Sequence, residues 1–121
     1  MDLEPELILG HLDSLPEGPG SVATLTRLLL DERHERHEDI VFTLGLAGDP
    51  AAVPAIATAM TIPFASLVRW DNLHEFQRKC AYALARIGTE QSREALQQLL
   101  SSHDPHIRQY AEEGLSRWPL K

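Results

Sequence analysis

"AYALARIGTEQSREALQQLL", Ala81–Leu100, reads as the end of one amphipathic helix, a glycine turn and a second helix. Apolar residues recur three and four positions apart on both sides of Gly88, the spacing of one helical face. Gly88 is a helix stop, since it adopts the left-handed backbone without steric cost. Thr89, directly after it, is an N-cap for the second helix. Forty residues earlier stands "VFTLGLAGDPAAVPAIATAM", Val41–Met60, with the same layout. That shift lays Leu44 on Leu84, Gly45 on Ala85, Gly48 on Gly88, Ala55 on Ala95, Ile56 on Leu96 and Met60 on Leu100. A shift of 31 carries Phe76, Leu84, Ala85 and Ile87 onto Ile107, Leu115, Ser116 and Trp118. The same step backwards lays Val22, Leu25 and Leu29 on Val53, Ile56 and Met60, and "LILGHLDSL" offers Leu9, Gly10 and Leu12 as an opening copy.

A recurring two-helix unit of this length buries its apolar face only against its neighbours, which makes a stacked helical array. The spacing predicts helices over 3–14, 20–32, 35–47, 51–61, 74–87, 90–101 and 105–118. The expected fold is all-α, a short right-handed α-solenoid of about seven helices in one domain, 1–121. Its units are 3–32, 35–61, 74–101 and a half-unit at 105–118. The middle unit is about nine residues longer than the next, a step of 40 against 31, so residues 62–73 form an insertion. Asp49-Pro50 and Asp104-Pro105 are further N-cap and first-turn signals, and Pro5 and Pro54 suit helix starts. Each first helix sets a small residue beside a leucine, which lets neighbouring helices approach closely.

The pattern small-Leu-small-x-Ile-Gly, with "DPHIR" opening the last unit, resembles the HEAT-like repeat of the phycobilisome-lyase type. The resemblance covers about four-fifths of the chain. It implies an α-solenoid whose second helices line the concave face, presenting Thr24, Arg27, Thr58, Thr61, Arg93, Gln97 and Gln98. Such repeats serve pigment lyases, hydroxylases, scaffolds and inhibitors, so the fold does not choose among them.

Composition narrows the choice. The chain has 121 residues, a formal net charge of −7 and 43% hydrophobic residues. Phosphate contacts by Lys and Arg dominate nucleic-acid affinity, so an acidic chain argues against that partner. No run approaches the roughly 20 apolar residues of a membrane span, and the acidic start has no basic signal-peptide region. A cytoplasmic protein is expected. Cys80 lies among apolar residues and reads as a packed thiol.

The densest chemistry is "DERHERHEDIVFTLG", Asp31–Gly45, with two histidines and five carboxylates in its first nine residues. A zinc-protease helix needs His-Glu-x-x-His, with histidines four apart. His34 and His37 are three apart. Deoxyhypusine hydroxylases, HEAT-like di-iron enzymes, carry His-Glu-x-x-x-x-Leu-Gly. Here Glu38-Asp39, Arg78-Lys79 and Gln109-Tyr110 stand at that register, and His37 is one residue too early. One residue rotates a side chain by about 100° on a helix. The stretch is therefore expected to be a solvated helix start, with Glu32 and Arg36 as an i, i+4 pair and carboxylates favoured by the helix dipole. Ser101-Ser102-His103-Asp104 reads as a turn ending in an N-cap.

The expectation is a non-enzymatic scaffold that binds a partner protein, one with a basic surface, in the manner of a bacterial inhibitor or immunity protein. It would be a monomer or weak homodimer, with no cofactor and no metal. Candidate partner-binding residues are Arg69, Trp70, Asp71, Asn72 and His74 from the insertion, Glu35 and Glu38 from the acidic stretch, and Arg93 and Gln97 from the third unit. Phe64 and Leu67 are expected to pack as a short helix over the gap, Trp70 either to pack with them or to bind, and Trp118 to cap the core. The resemblance leaves two alternatives: an accessory lyase or chaperone handling a bilin or other cofactor, and a metal-dependent hydroxylase.

Overall fold

The structure is a computed structural model that describes residues 19–120. The opening helix expected over 3–14 lies outside them. Within them are seven α-helices and no strand: α1 Pro19–Leu29, α2 His37–Ala47, α3 Val53–Ala59, α4 Ala65–Arg69, α5 Leu73–Ile87, α6 Glu90–Leu99 and α7 Pro105–Arg117. A 3-10 turn, Pro50–Ala52, leads into α3. The all-helical chain fits the expected solenoid. Helices α2, α5 and α7 pack side by side as one layer, and α1, α3 and α6 as the other.

The punctuation read from the sequence is what ends and starts these helices. Gly48 and Gly88 both take φ 69°, and their N–H groups bond to Leu44 O and Leu84 O. Asp49 and Asp104 accept from the amides of Ala51 and His106 at 2.9 and 2.8 Å, each ahead of a first-turn proline. Thr89 and Ser92 form a reciprocal capping box, at 3.1 and 3.0 Å. That box satisfies amide groups that no intrahelical carbonyl reaches. Pro54 is the second residue of α3, where its missing N–H costs nothing.

Helix α5 runs through the middle, in contact with α2, α3, α4, α6 and α7. Its Phe76, Cys80, Ala81, Leu84 and Ile87 are buried. Small residues set its spacing from its neighbours. A Cβ on Gly45 of α2 would sit 3.1 Å from Ala83 Cβ, and one on Gly114 of α7 would sit 3.1 Å from Ala81 O. The insertion folds as α4, and Phe64 and Leu67 enter the core at 1% and 5% exposure. Val68 and Trp70 do not follow them; both stay exposed. It ends in a Schellman turn, with Asp71 in the left-handed region at φ 57° and Asn72 N–H bonded to Leu67 O at 2.8 Å. Trp118 packs against the core edge and donates to Ser92 Oγ at 3.2 Å.

Two glycines separate two kinds of cost. At Gly48 an added Cβ would meet nothing within 4 Å, so Gly48→Ala isolates the left-handed backbone penalty, about 1 kcal/mol. Gly114→Val forces branched bulk against Leu96 and the Ala81 carbonyl and is expected to cost about 2 kcal/mol or more. Urea unfolding of the two variants measures both, and equal losses would contradict the close approach of α7 to α5.

Candidate interaction surface

The acidic stretch does not form a solvated helix start throughout. Residues 30–36 are a loop, and α2 begins at His37. His34 is 4% exposed and His37 is fully buried. Their rings stack at 4.1 Å, and His37 stacks in turn on Phe64 at 4.0 Å, with Phe76 edge-on at 6.1 Å. The imidazole bodies thus serve as core aromatics between the loop, the insertion and α5. Each ring also ties the loop down. His34 Nε2 donates to Leu28 O at 2.6 Å while its Nδ1 accepts from Arg36 N–H at 3.0 Å. His37 Nε2 donates to Asp31 O at 2.8 Å. His37 Nδ1 is buried and has no hydrogen-bond partner among the described residues. Burial holds the His37 imidazole down at about 4, against an ordinary 6.5, despite the opposing bond to Asp31.

The carboxylates around the two rings are largely engaged by the chain's own cations. Asp31 is clamped by Arg33, with its closest contact at 2.7 Å. The Arg33 side-chain bonds hold its carboxyl at about 2, below the usual 3.8. Arg36 pairs with Asp39 at 2.6 Å, not with Glu32, because residue 32 precedes the helix and no i, i+4 face exists there. Glu38 reaches Lys79 of α5 at 2.6 Å. Glu35 accepts from the Trp70 indole N–H at 3.0 Å.

That last bond joins two sequence candidates lying 35 residues apart. It holds Trp70, 64% exposed, against the loop that leads into α2. Arg69 and Asp71 flank it, also exposed, and Asn72 is half-buried at the start of α5. His74 faces α7, its ring 4.0 Å from that of His106, with its Nδ1 3.1 Å from Gln77 Oε1. Arg93 and Gln97 are placed apart from this group, on α6. Arg93 lies over the Trp118 ring at 5.4 Å and near Glu90 at 3.8 Å, and Gln97 is exposed. Among the residues expected on the second-helix face, Arg27 and Thr58 line one shallow furrow of about 330 Å³.

Sequence reasoning missed a second feature. Between α2, α5 and the end of α7 runs a furrow of about 380 Å³. Phe42, Gly45, Tyr82, Ala83 and Leu120 give it apolar walls, and Lys79, Arg86 and Arg117 stand at its rim. The tail closes one end, with Leu120 N–H bonded to Ala85 O at 2.9 Å. A signal was available in the repeat. Phe42 falls on Tyr82 at the step of 40, and Arg86 falls on Arg117 at the step of 31.

Cys80 is fully buried, and burial pushes its thiol up, away from the reactive thiolate. Among the described residues no three His, Cys, Asp or Glu side chains converge as a metal-binding group. None of the described helices is long and apolar enough to cross a membrane.

Stacked helix pairs with capped turns and an inserted short helix define a helical-repeat scaffold. Residues 76–102, from α5 through α6, match the family model described as the PBS lyase HEAT-like repeat, and the helical architecture is consistent with a HEAT-like repeat protein. The comparisons with curated proteins and with solved structures found no match.

The buried His37 sets a pH dependence. The unfolded chain protonates this ring near 6.5 and the folded chain near 4, so the unfolded state binds more protons in between. Stability therefore falls as pH drops from 6.5 to about 4, by up to roughly 3 kcal/mol from this ring. Asp31 acts only in the lower window, from 3.8 down to about 2. Denaturant midpoints across pH should show the slope in the parent and a flatter profile in His37→Gln, which is less stable at neutral pH. Parallel profiles would contradict the assignment.

Proposed function

We propose that the protein is a non-catalytic scaffold that recognises a partner protein through the face built by the insertion and the loop before α2. One observation carries this reading: the Trp70 indole is held outward by Glu35 instead of being packed inward. A large, exposed aromatic side chain that is also fixed in place loses little entropy on binding, and tryptophan beside arginine is the common composition of binding hot spots. Val68, 54% exposed, extends the same surface beside Arg69. HEAT-like repeats generally mediate protein interactions, which fits this use.

The net charge of −7 favours a partner with a basic surface, such as a toxin or nuclease that this chain would inhibit. Glu32 and Glu35 are the acidic groups of the loop that make no ion pair among the described residues, so they are the ones open to such a partner. Complementary charge would speed association and make it salt-dependent. The competing reading, an accessory protein handling a bilin, draws support from the type of repeat matched at 76–102, and it requires visible absorbance in the purified protein.

Affinity capture from native lysate tests the scaffold reading. The parent should retain one protein in stoichiometric amount, and Trp70→Ala should weaken that complex by about thirtyfold or more. Glu32→Lys with Glu35→Lys should weaken it further at low salt than at high salt. Retention equal in parent and Trp70→Ala would overturn the assignment of this face, and a coloured preparation would favour the bilin reading.

A further inference from the structure

The furrow of about 380 Å³ between α2, α5 and the end of α7 is separate from the Trp70 face and has a different chemistry. Its floor exists because Gly45 lacks a side chain. A Cβ there would lie 3.1 Å from Ala83 Cβ, so α2 and α5 meet nearly backbone to backbone, and the bulk on either side stands up as walls. Phe42 is one wall, 58% exposed, and Tyr82 is its repeat counterpart on the other. Leu46, one turn beyond Phe42, is also 58% exposed and extends the apolar strip along α2.

The charges at the rim sort into two kinds. Lys79 is held by Glu38 at 2.6 Å, and beyond Tyr82 the Glu113 carboxylate is held by Arg78 at 3.0 Å. Arg86 and Arg117 make no ion pair with a carboxylate among the described residues; Arg117 lies 5.7 Å from the Tyr82 ring centroid. The Arg86 stem passes 3.8 Å from the site of a Gly45 Cβ, so its aliphatic part walls the furrow and its guanidinium stays at the edge. In a chain with 18 acidic and 11 basic residues, two arginines without carboxylate partners beside one apolar furrow form a local reversal of charge. Arginine in this setting suits carboxylates, which it grips through paired N–H donors.

We propose that this furrow is a docking site for an acidic, amphipathic segment of another protein, whose apolar side chains lie against Phe42 and Tyr82 and whose carboxylates meet Arg86 and Arg117. The recognition mode is an amphipathic segment in a groove, with apolar side chains as anchors and charge setting the orientation. It does not depend on the Trp70 face, so the two surfaces can succeed or fail separately.

The test uses fluorescence anisotropy with the full chain and three labelled synthetic peptides of equal length. One repeats Glu-Glu-Leu-Phe, one repeats Lys-Lys-Leu-Phe, and one repeats Glu-Glu-Ser-Ser. The first should bind at least tenfold tighter than either control. Arg86→Glu with Arg117→Glu, and separately Phe42→Ser, should each weaken it at least tenfold, while Trp70→Ala should leave it unchanged. All these residues are exposed, and far-ultraviolet circular dichroism checks that the variants fold. Equal binding of the lysine peptide, equal binding of the serine peptide, or no binding of the first peptide at millimolar concentration each overturns the proposal. Sedimentation of the parent as a dimer that Phe42→Ser dissociates would assign the furrow to a second copy of this chain, and overturns it too.

Discussion

The structure depends on how closely two helices can approach α5. On one side Gly45 brings α2 against Ala83, and on the other Gly114 brings α7 against Ala81 and Leu96. At these distances ordinary side chains do not fit, so the layer of first helices is set by the absence of side chains as much as by their presence. The leucines, isoleucines and aromatics then fill the space between the two layers. Leu44, Ile56, Leu84 and Leu96 are fully buried; Leu44 and Leu84 are repeat equivalents, as are Ile56 and Leu96. Both candidate surfaces are consequences. The furrow is the trough left where α2 and α5 come too close for bulk, and the insertion face exists because Phe64 and Leu67 are drawn into the gap beside α5.

The histidine pair shows how one segment can look like chemistry and act as packing. A neutral imidazole offers a flat apolar body with two polar points. In the His34–His37–Phe64 stack the body fills the core while the ring nitrogens hold the carbonyls of Leu28 and Asp31. The loop from α1 to α2 has few backbone bonds of its own, and the histidine rings supply them. The orphaned Nδ1 of His37 is the cost of that arrangement, while the burial that creates it is why protonation bears on stability.

Charge is used in the same local way. Most acidic residues near the α2 entrance bind cations of this chain: Asp31 to Arg33, Asp39 to Arg36 and Glu38 to Lys79. Exposed pairs of this kind contribute little stability each, and they neutralise the α2 entrance locally while the net charge of −7 stays with the unpaired carboxylates. The surfaces proposed for recognition are the exposed Trp70 with its Glu35 tether, and the apolar furrow with two arginines that make no ion pair with a carboxylate among the described residues.

The repeat, the helix ends and the caps were legible in the sequence, because they are local. A left-handed glycine, an aspartate before proline and a threonine after glycine act within four residues, and their geometry does not depend on what packs against them. Gly48, Gly88, Asp49, Thr89 and Asp104 all do what their neighbours in the chain dictate. The site was legible only in fragments. Glu35 and Trp70 each stood out by residue type, but their bond across 35 residues needs the insertion folded against the loop. The burial of His34 and His37 was hidden because charged neighbours on both sides mark a segment as solvated, and only the aromatic rings of Phe64 and Phe76 arriving from elsewhere make it interior. The furrow was hidden for the same reason: Phe42, Arg86 and Arg117 are ordinary residues until α2, α5 and α7 come within contact of one another, a distance set by side-chain volume across helices and not by order along the chain.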